Sequence, residues 1–206
     1  MIRDPKDLKR YEPAERANHW VVGISFILLA LSGLAFFHPA FYPLTQLFGG
    51  PVWARILHPF LGVLMGISFL ALFVRFKHLN KMTPADKEWL SRAKEMVDGD
   101  DHDMPEQGKY NGGQKAMFWA LAICILLMAV SGLFIWRAYF AFDIPLVRLG
   151  AVVHAATGAV MIALIFVHVY AAIWVKGTIR AMWYGTVTRA WAKQHHRGWY
   201  RQVTGK

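Results

Sequence analysis

Residues 149–175 read LGAVVHAATGAVMIALIFVHVYAAIWV, 27 residues without an Asp, Glu, Lys or Arg. A helix rises about 1.5 Å per residue, so about 20 apolar residues cross the hydrocarbon core of a bilayer. This stretch is longer, which predicts a span that tilts or projects beyond the hydrocarbon. Three further stretches, 18–37, 56–74 and 116–136, are also uncharged and reach spanning length. An open sheet in lipid leaves backbone N–H and C=O groups without partners, so all four are read as helices. The 206 residues are 56% hydrophobic with nine Trp, and the mean hydropathy is +0.30. The expected fold is all-α, an integral membrane four-helix bundle forming one domain over 1–206.

Charge sets the expected topology. Of the 23 Lys and Arg, 20 lie before the first span, between the second and third, or after the fourth. Only Arg55, Arg137 and Arg148 lie in the other two connections. That asymmetry places both the N and C termini in the cytoplasm of a multi-pass protein of the bacterial inner membrane. The net charge of +10 is thereby explained without nucleic acid, which is not an expected partner. The first span is too long for a secretory h-region and has no clean small-residue cleavage pattern after it, so it is expected to be retained. Cys124 is the single cysteine; disulfides, cysteine-held iron–sulfur clusters and C-x-x-C-H haem attachment are excluded within this chain.

The connections differ in character. Pro39, Pro43, Gly49, Gly50 and Pro51 mark turns between the first and second spans. The loop 75–115 is the longest, and a short helix is expected around Pro84 to Val97 with Thr83 as N-cap, followed by an acidic patch from Asp98 to Asp103. The tail 176–206 interleaves Trp183, Tyr184, Trp191, Trp199 and Tyr200 with basic residues. Two readings stand equally for it, an interfacial helix and a solvated positive terminus. No internal repeat stands out.

Four of the nine histidines lie within the spans: His19, His58, His154 and His168. Ionisable residues at that depth are costly and usually functional; a single one could equally hydrogen-bond a neighbouring helix. Their arrangement favours function. His154 and His168 are 14 residues apart, about 21 Å along one helix and within about 40° of one face, so they serve two sites. The alternating direction of the spans puts His58 at the depth of His154, near the periplasmic surface, and His19 nearer His168, toward the cytoplasm. Two imidazoles facing each other at one depth suit the axial positions of a six-coordinate haem iron. Four residues after each histidine stands a small residue, Gly23, Gly62, Gly158 or Ala172, where a larger side chain would obstruct a porphyrin. Helix packing also explains small residues, Gly62 and Gly66 forming a G-x-x-x-G pair. Structural zinc fits less well, because it wants four close ligands; transport fits less well, because no acid lies in the spans.

Six ordered motifs then carry a resemblance over nearly the whole chain. They are Arg16-Ala17-Asn18-His19-Trp20, Arg55-Ile56-Leu57-His58-Pro59-Phe60, residues 108–115 (GKYNGGQK), Ile135-Trp136-Arg137-Ala138-Tyr139-Phe140, Trp174-Val175-Lys176-Gly177 and Ala192-Lys193-Gln194-His195-His196. With these the chain resembles the gamma, cytochrome b556, subunit of respiratory membrane-bound formate dehydrogenase. The resemblance implies two haem b groups, one on His58 and His154 near the periplasm and one on His19 and His168 near the cytoplasm. It implies two partners: a catalytic alpha subunit oxidising formate at molybdenum or tungsten, and an iron–sulfur beta subunit delivering electrons, all within a larger oligomer. It further implies reduction of menaquinone or ubiquinone near the inner haem, with Asn111 and Gly113 at the matching site. Asn111 and Gln114 can donate hydrogen bonds to quinone carbonyls, although Asn111 read alone is a helix cap. Related chains with Pro at the position of Ala138, and a Lys-His-His-Pro tail where Gln194 and Arg197 flank His195 and His196, are departures that touch no proposed ligand.

Two rivals are distinguishable: a cytochrome b of a nickel–iron hydrogenase or other periplasmic oxidoreductase, and a haem-free anchor or transporter. His38, His78, His102, His195 and His196 are expected at surfaces or partner contacts, and Cys124 as a small core residue.

Overall fold

The structure is a computed structural model that describes residues 4–98 and 104–205; the acidic stretch 99–103, with His102, lies outside the described residues. Four long helices carry the apolar stretches: α1 (Pro13–Phe37), α2 (Pro51–Phe76), α5 (Gly112–Ile135) and α6 (Ile144–Trp174). All four are long and apolar enough to cross a membrane. Between them lie α3 (Pro84–Ser91) and α4 (Ala93–Val97), and after them α7 (Ile179–Tyr184), α8 (Arg189–His195) and α9 (Arg197–Thr204). Two 3-10 helices follow α1 and α2, Pro39–Phe48 and Lys77–Asn80. His38 caps the first, its Nδ1 accepting from the Ala40 N–H at 3.2 Å.

The helices outrun the uncharged stretches at their ends. Proline at the first position of α1 and α2 has a φ suited to a helix and no N–H to satisfy. The charged residues thus drawn into the helices find partners: Glu15 pairs with Arg75 at 2.8 Å, and Lys115 with Asp86 at 2.6 Å. The helix expected around 84–97 forms, but as two pieces broken at Arg92. Thr83 closes a reciprocal capping box with Asp86.

By contacts the chain forms two compact units. One comprises residues 17–74 and 121–167. Its core is Met65, Cys124, Ile125 and Met161, with Val22, Phe26, Leu29 and Phe69 packed against it. Large apolar side chains such as Ile27, Ile67, Leu126 and Phe166 point outward, the surface expected of a helix bundle solvated by lipid. Trp136 and Tyr139 sit 5.0 Å apart in edge contact, with Phe60 against both.

The second unit comprises 1–16, 75–120 and 168–206; its described residues correct the reading of the tail. Trp191 and Trp199 are neither interfacial nor solvated: they are buried with Ala181, Val187 and Ala192, and the lead residues Leu8 and Tyr11 pack on them. Lead and tail also pair as strands β1 (Leu8–Lys9) and β2 (Thr186–Val187), antiparallel with Leu8 opposite Val187. This two-residue ladder is the exception to an all-α chain. Gly185, with φ +77°, turns the chain into β2, and its carbonyl accepts from the N–H groups of Arg10 and Tyr11. A Cβ there would lie 2.7 Å from the Tyr11 oxygen, so backbone sign and space both require glycine.

His196 is the second correction: it is 1% exposed, not a surface residue. Its Nδ1 donates to the Gly108 carbonyl at 2.8 Å, which leaves Nε2 to accept from the Arg10 guanidinium at 3.3 Å. Arg10 also donates to the Lys109 carbonyl, and its guanidinium lies 4.9 Å from the ring centres of Trp191 and Trp199. Burial, and then the Arg10 charge, push the His196 ring down to about 3. A histidine held neutral when folded and titrating near 6.5 when unfolded contributes stability above that pH and loses it as pH falls toward 3. The second unit should therefore become easier to proteolyse between pH 7 and 5, and His196→Gln, which can keep both hydrogen bonds, should flatten that dependence. Equal pH slopes for the two proteins would contradict the assignment.

Candidate functional site

The first unit brings two of the four candidate histidines together. His58 of α2 and His154 of α6 have ring centroids 6.2 Å apart at an interplanar angle of 63°. Each ring is held from a neighbouring helix. Ser32 of α1, 0% exposed, lies 2.7 Å from His58 Nδ1, and Ser131 of α5 lies 3.0 Å from His154 Nδ1. The direction of these bonds follows from proton counting. A serine hydroxyl has one proton, which Ser32 gives to the Leu28 carbonyl at 2.8 Å and Ser131 to the Leu127 carbonyl at 2.6 Å. With the hydroxyl protons so placed, each oxygen accepts toward its ring. In that arrangement His58 and His154 donate from Nδ1 and Nε2 is the nitrogen left with a lone pair.

These serines were not picked out from the sequence, although a signal exists. Ser-Gly-Leu occurs at 32–34 and again at 131–133, and His-x-x-x-Gly at 58–62 and again at 154–158. Each serine lies against the histidine of the following long helix, so α1–α2 and α5–α6 contribute matching Ser–His contacts. His19, on α1, packs edge-on against Trp20 with centroids 5.9 Å apart. It belongs to the first unit and His168 of α6 to the second.

Comparison with known proteins bears on what such a pair holds. Residues 10–185 match the family described as prokaryotic cytochrome b561. The chain belongs to that family. It is 47% identical over 196 residues to the formate dehydrogenase cytochrome b556(fdo) subunit of Escherichia coli (strain K12), spanning 94% of this chain and 92% of that one. The nitrate-inducible formate dehydrogenase cytochrome b556(Fdn) subunit of the same organism is 45% identical over 200 residues, 96% and 92% of the two chains. The formate dehydrogenase cytochrome b556 subunit of Haemophilus influenzae (strain ATCC 51907 / DSM 11121 / KW20 / Rd) is 39% identical over 204 residues, 98% and 85%. The protein is thus a cytochrome b and, with its four apolar helices, an integral membrane protein.

A cytochrome b implies haem b, and the residues present fit one. Two metal–imidazole bonds of about 2 Å, with a ring radius at either end, put axial imidazole centroids roughly 6 Å apart, in agreement with 6.2 Å. Among the described residues no three His, Cys, Asp or Glu side chains gather as a metal site; haem iron needs only two protein ligands. A Cβ built on Gly62 would have no neighbour nearer than 4.0 Å, and one on Gly158 none nearer than 3.7 Å, leaving room along the faces that carry the histidines.

The residues proposed from resemblance to meet quinone open α5 of the cytochrome. Asn111 Oδ1 accepts from the Gln114 N–H at 2.9 Å, and Gln114 Oε1 accepts from the Asn111 N–H at 3.1 Å. Asn111 is therefore a cap, and Gln114 completes the box. Capping uses only the amide oxygens, so the donating NH₂ groups are not spent by it. Gly113 has a packing role: a Cβ would lie 2.9 Å from the Trp89 ring, and one on Gly112 2.5 Å from the Asp86 carbonyl. Below them Lys115 and Asp86 form a buried ion pair. Burial would raise the Asp86 carboxyl, and hydrogen bonds from Lys115 and Thr83 outweigh it and hold it below its usual value. Gly113→Ala is expected to cost about 1–3 kcal/mol by overpacking, read as a lowered apparent Tm in detergent, with Trp89→Leu restoring part of it. An unshifted Tm would remove the packing role.

Proposed function

We propose that this cytochrome is the di-haem membrane subunit of a formate dehydrogenase, anchoring the complex and carrying electrons to quinone. The observation that carries the haem part is the His58–His154 pair, two imidazoles with free Nε2 lone pairs and centroids 6.2 Å apart. The formate part rests on the relatives, three of which are named formate dehydrogenase subunits and match over at least 94% of this chain.

When bound, haem b supplies one-electron exchange at its iron. His58 and His154 hold one such group near the periplasmic face, and His19 and His168 hold the other toward the cytoplasm. The 14-residue separation of His154 and His168 on continuous α6 sets an axial step of about 21 Å, most of the hydrocarbon thickness of about 30 Å. The four helices keep water and ions out of that path. An iron–sulfur subunit and a molybdenum or tungsten subunit supply the electrons. At the cytoplasmic end the free amide N–H groups of Asn111 and Gln114 orient a menaquinone or ubiquinone carbonyl, close to water that delivers protons. The bias of basic residues supports cytoplasmic termini, and the formate dehydrogenase relatives support a bacterial inner-membrane location.

Four measurements test this reading. Reduced-minus-oxidised spectra of the purified protein should show b-type bands, and their absence ends it. Co-purification should recover an iron–sulfur subunit and a molybdenum or tungsten subunit; nickel in their place would assign the cytochrome to a hydrogenase. His58→Ala or His154→Ala should remove one haem and His19→Ala or His168→Ala the other, so equal loss of both from a correctly inserted single variant would refute separate sites. Asn111→Asp, which keeps the capping oxygen but removes the amide donor, should slow quinone turnover with haem content unchanged; unaltered quinone kinetics would leave Asn111 a cap alone.

A further inference from the structure

We infer that Ser32 and Ser131 are positioning residues for the haem: each fixes the tautomer and ring orientation of one axial histidine and lowers the reduction potential of the iron between them. The inference rests on the haem reading of His58 and His154.

An imidazole is costly in an apolar bundle. A neutral ring has one N–H and one lone pair, and an N–H left without an acceptor in a medium free of water is strongly disfavoured. If the proton sat on Nε2, that nitrogen could not ligate. The protein needs an acceptor at Nδ1; Ser32 faces that atom of His58 and Ser131 that of His154, where the Met128 carbonyl also contributes. Ser32 and Ser131 solve this by relaying. Each hydroxyl gives its proton to the carbonyl four residues back, at 2.8 and 2.6 Å, and exposes oxygen lone pairs to the ring of the neighbouring helix. Both serines are buried, at 0% and 2% exposure, so no solvent competes for the bond.

The glycines beside the serines complete the fixture. A Cβ on Gly33 would lie 3.6 Å from His58 Cε1, and one on Gly132 3.4 Å from His154 Cε1. A methyl at either position would thus be in ordinary contact with the ring, and only a side chain longer than alanine's would crowd the orientation the hydrogen bond selects. Ser-Gly is thus a two-residue socket, repeated on α1 and α5. An imidazole that donates from Nδ1 is the more basic ligand through Nε2. It favours the ferric over the ferrous iron and lowers the potential. The bond at His58 is shorter than that at His154, 2.7 against 3.0 Å, so Ser32 should have the larger influence.

The test uses the purified membrane protein with its haem, in potentiometric titration and low-temperature EPR of the ferric state. Ser32→Ala and Ser131→Ala should each raise the midpoint of one haem, Ser32→Ala more, and alter its low-spin signal. The other haem should not shift, and Ser→Thr should restore the wild-type values. Haem affinity in the alanine variants should fall by about 10- to 100-fold. Alanine variants that retain haem with an unchanged midpoint overturn the inference while leaving the haem reading intact; absence of b-type bands in the unsubstituted protein sinks both. If an alanine variant loses the haem altogether, the threonine variant decides: a haem-loaded protein with the wild-type potential supports the hydroxyl's role, and a haem-free or shifted one refutes it.

Discussion

An imidazole buried among apolar helices must place its one N–H on an acceptor, and that requirement organises the site of this cytochrome. In water the ring could turn freely and exchange tautomers. Within the bundle no bulk water serves as acceptor, and only side-chain oxygens and the second lone pairs of helical carbonyls are available. A serine whose proton is committed to its own helix is a fixed acceptor. Ser32 and Ser131 therefore transmit the orientation of α1 and α5 to the histidines of α2 and α6. On the proposed haem reading the two imidazoles are oriented by the protein itself, which would reduce the reorganisation left for binding.

The same constraint explains why each Ser–His contact joins two consecutive long helices. Each ligand takes its support from the preceding long helix, so α1–α2 and α5–α6 each deliver one prepared imidazole. Packing of the core formed by Met65, Cys124, Ile125 and Met161 then holds these helices together. Other polar side chains buried in this unit, such as Ser25, Ser68 and Thr157, are small and lie outside the aliphatic and thioether core.

The second unit handles charge by different means. Arg10 is met by indole faces, a main-chain carbonyl and the lone pair of His196. Lys115 is met by the Asp86 carboxylate. The run 108–115 contributes to each arrangement: Gly108 accepts from His196, Lys109 from Arg10, Asn111 and Gln114 cap α5, and the two following glycines admit Trp89. A motif that resemblance links to quinone thus has a structural basis at nearly every position. Capping leaves over the amide N–H groups of Asn111 and Gln114, the donors that the proposed quinone reading uses.

Sequence alone determined the number of spans, the helical class and the axial interval between His154 and His168. These depend on hydrophobicity and helical rise, properties local to each stretch. Alternating span direction also put His58 at the depth of His154, and the two rings lie 6.2 Å apart. Sequence could not show the serine sockets: Ser32 and His58 are 26 residues apart and Ser131 and His154 23, and whether two side chains on different helices meet depends on how the helices rotate against each other. Nor could it place the tail. Trp191 and Trp199 have the amphipathic setting of an interfacial helix until Leu8, Tyr11 and Arg10, from the opposite end of the chain, cover them. Burial of an amphipathic segment is decided by what packs on it, and only the tertiary structure supplies that partner.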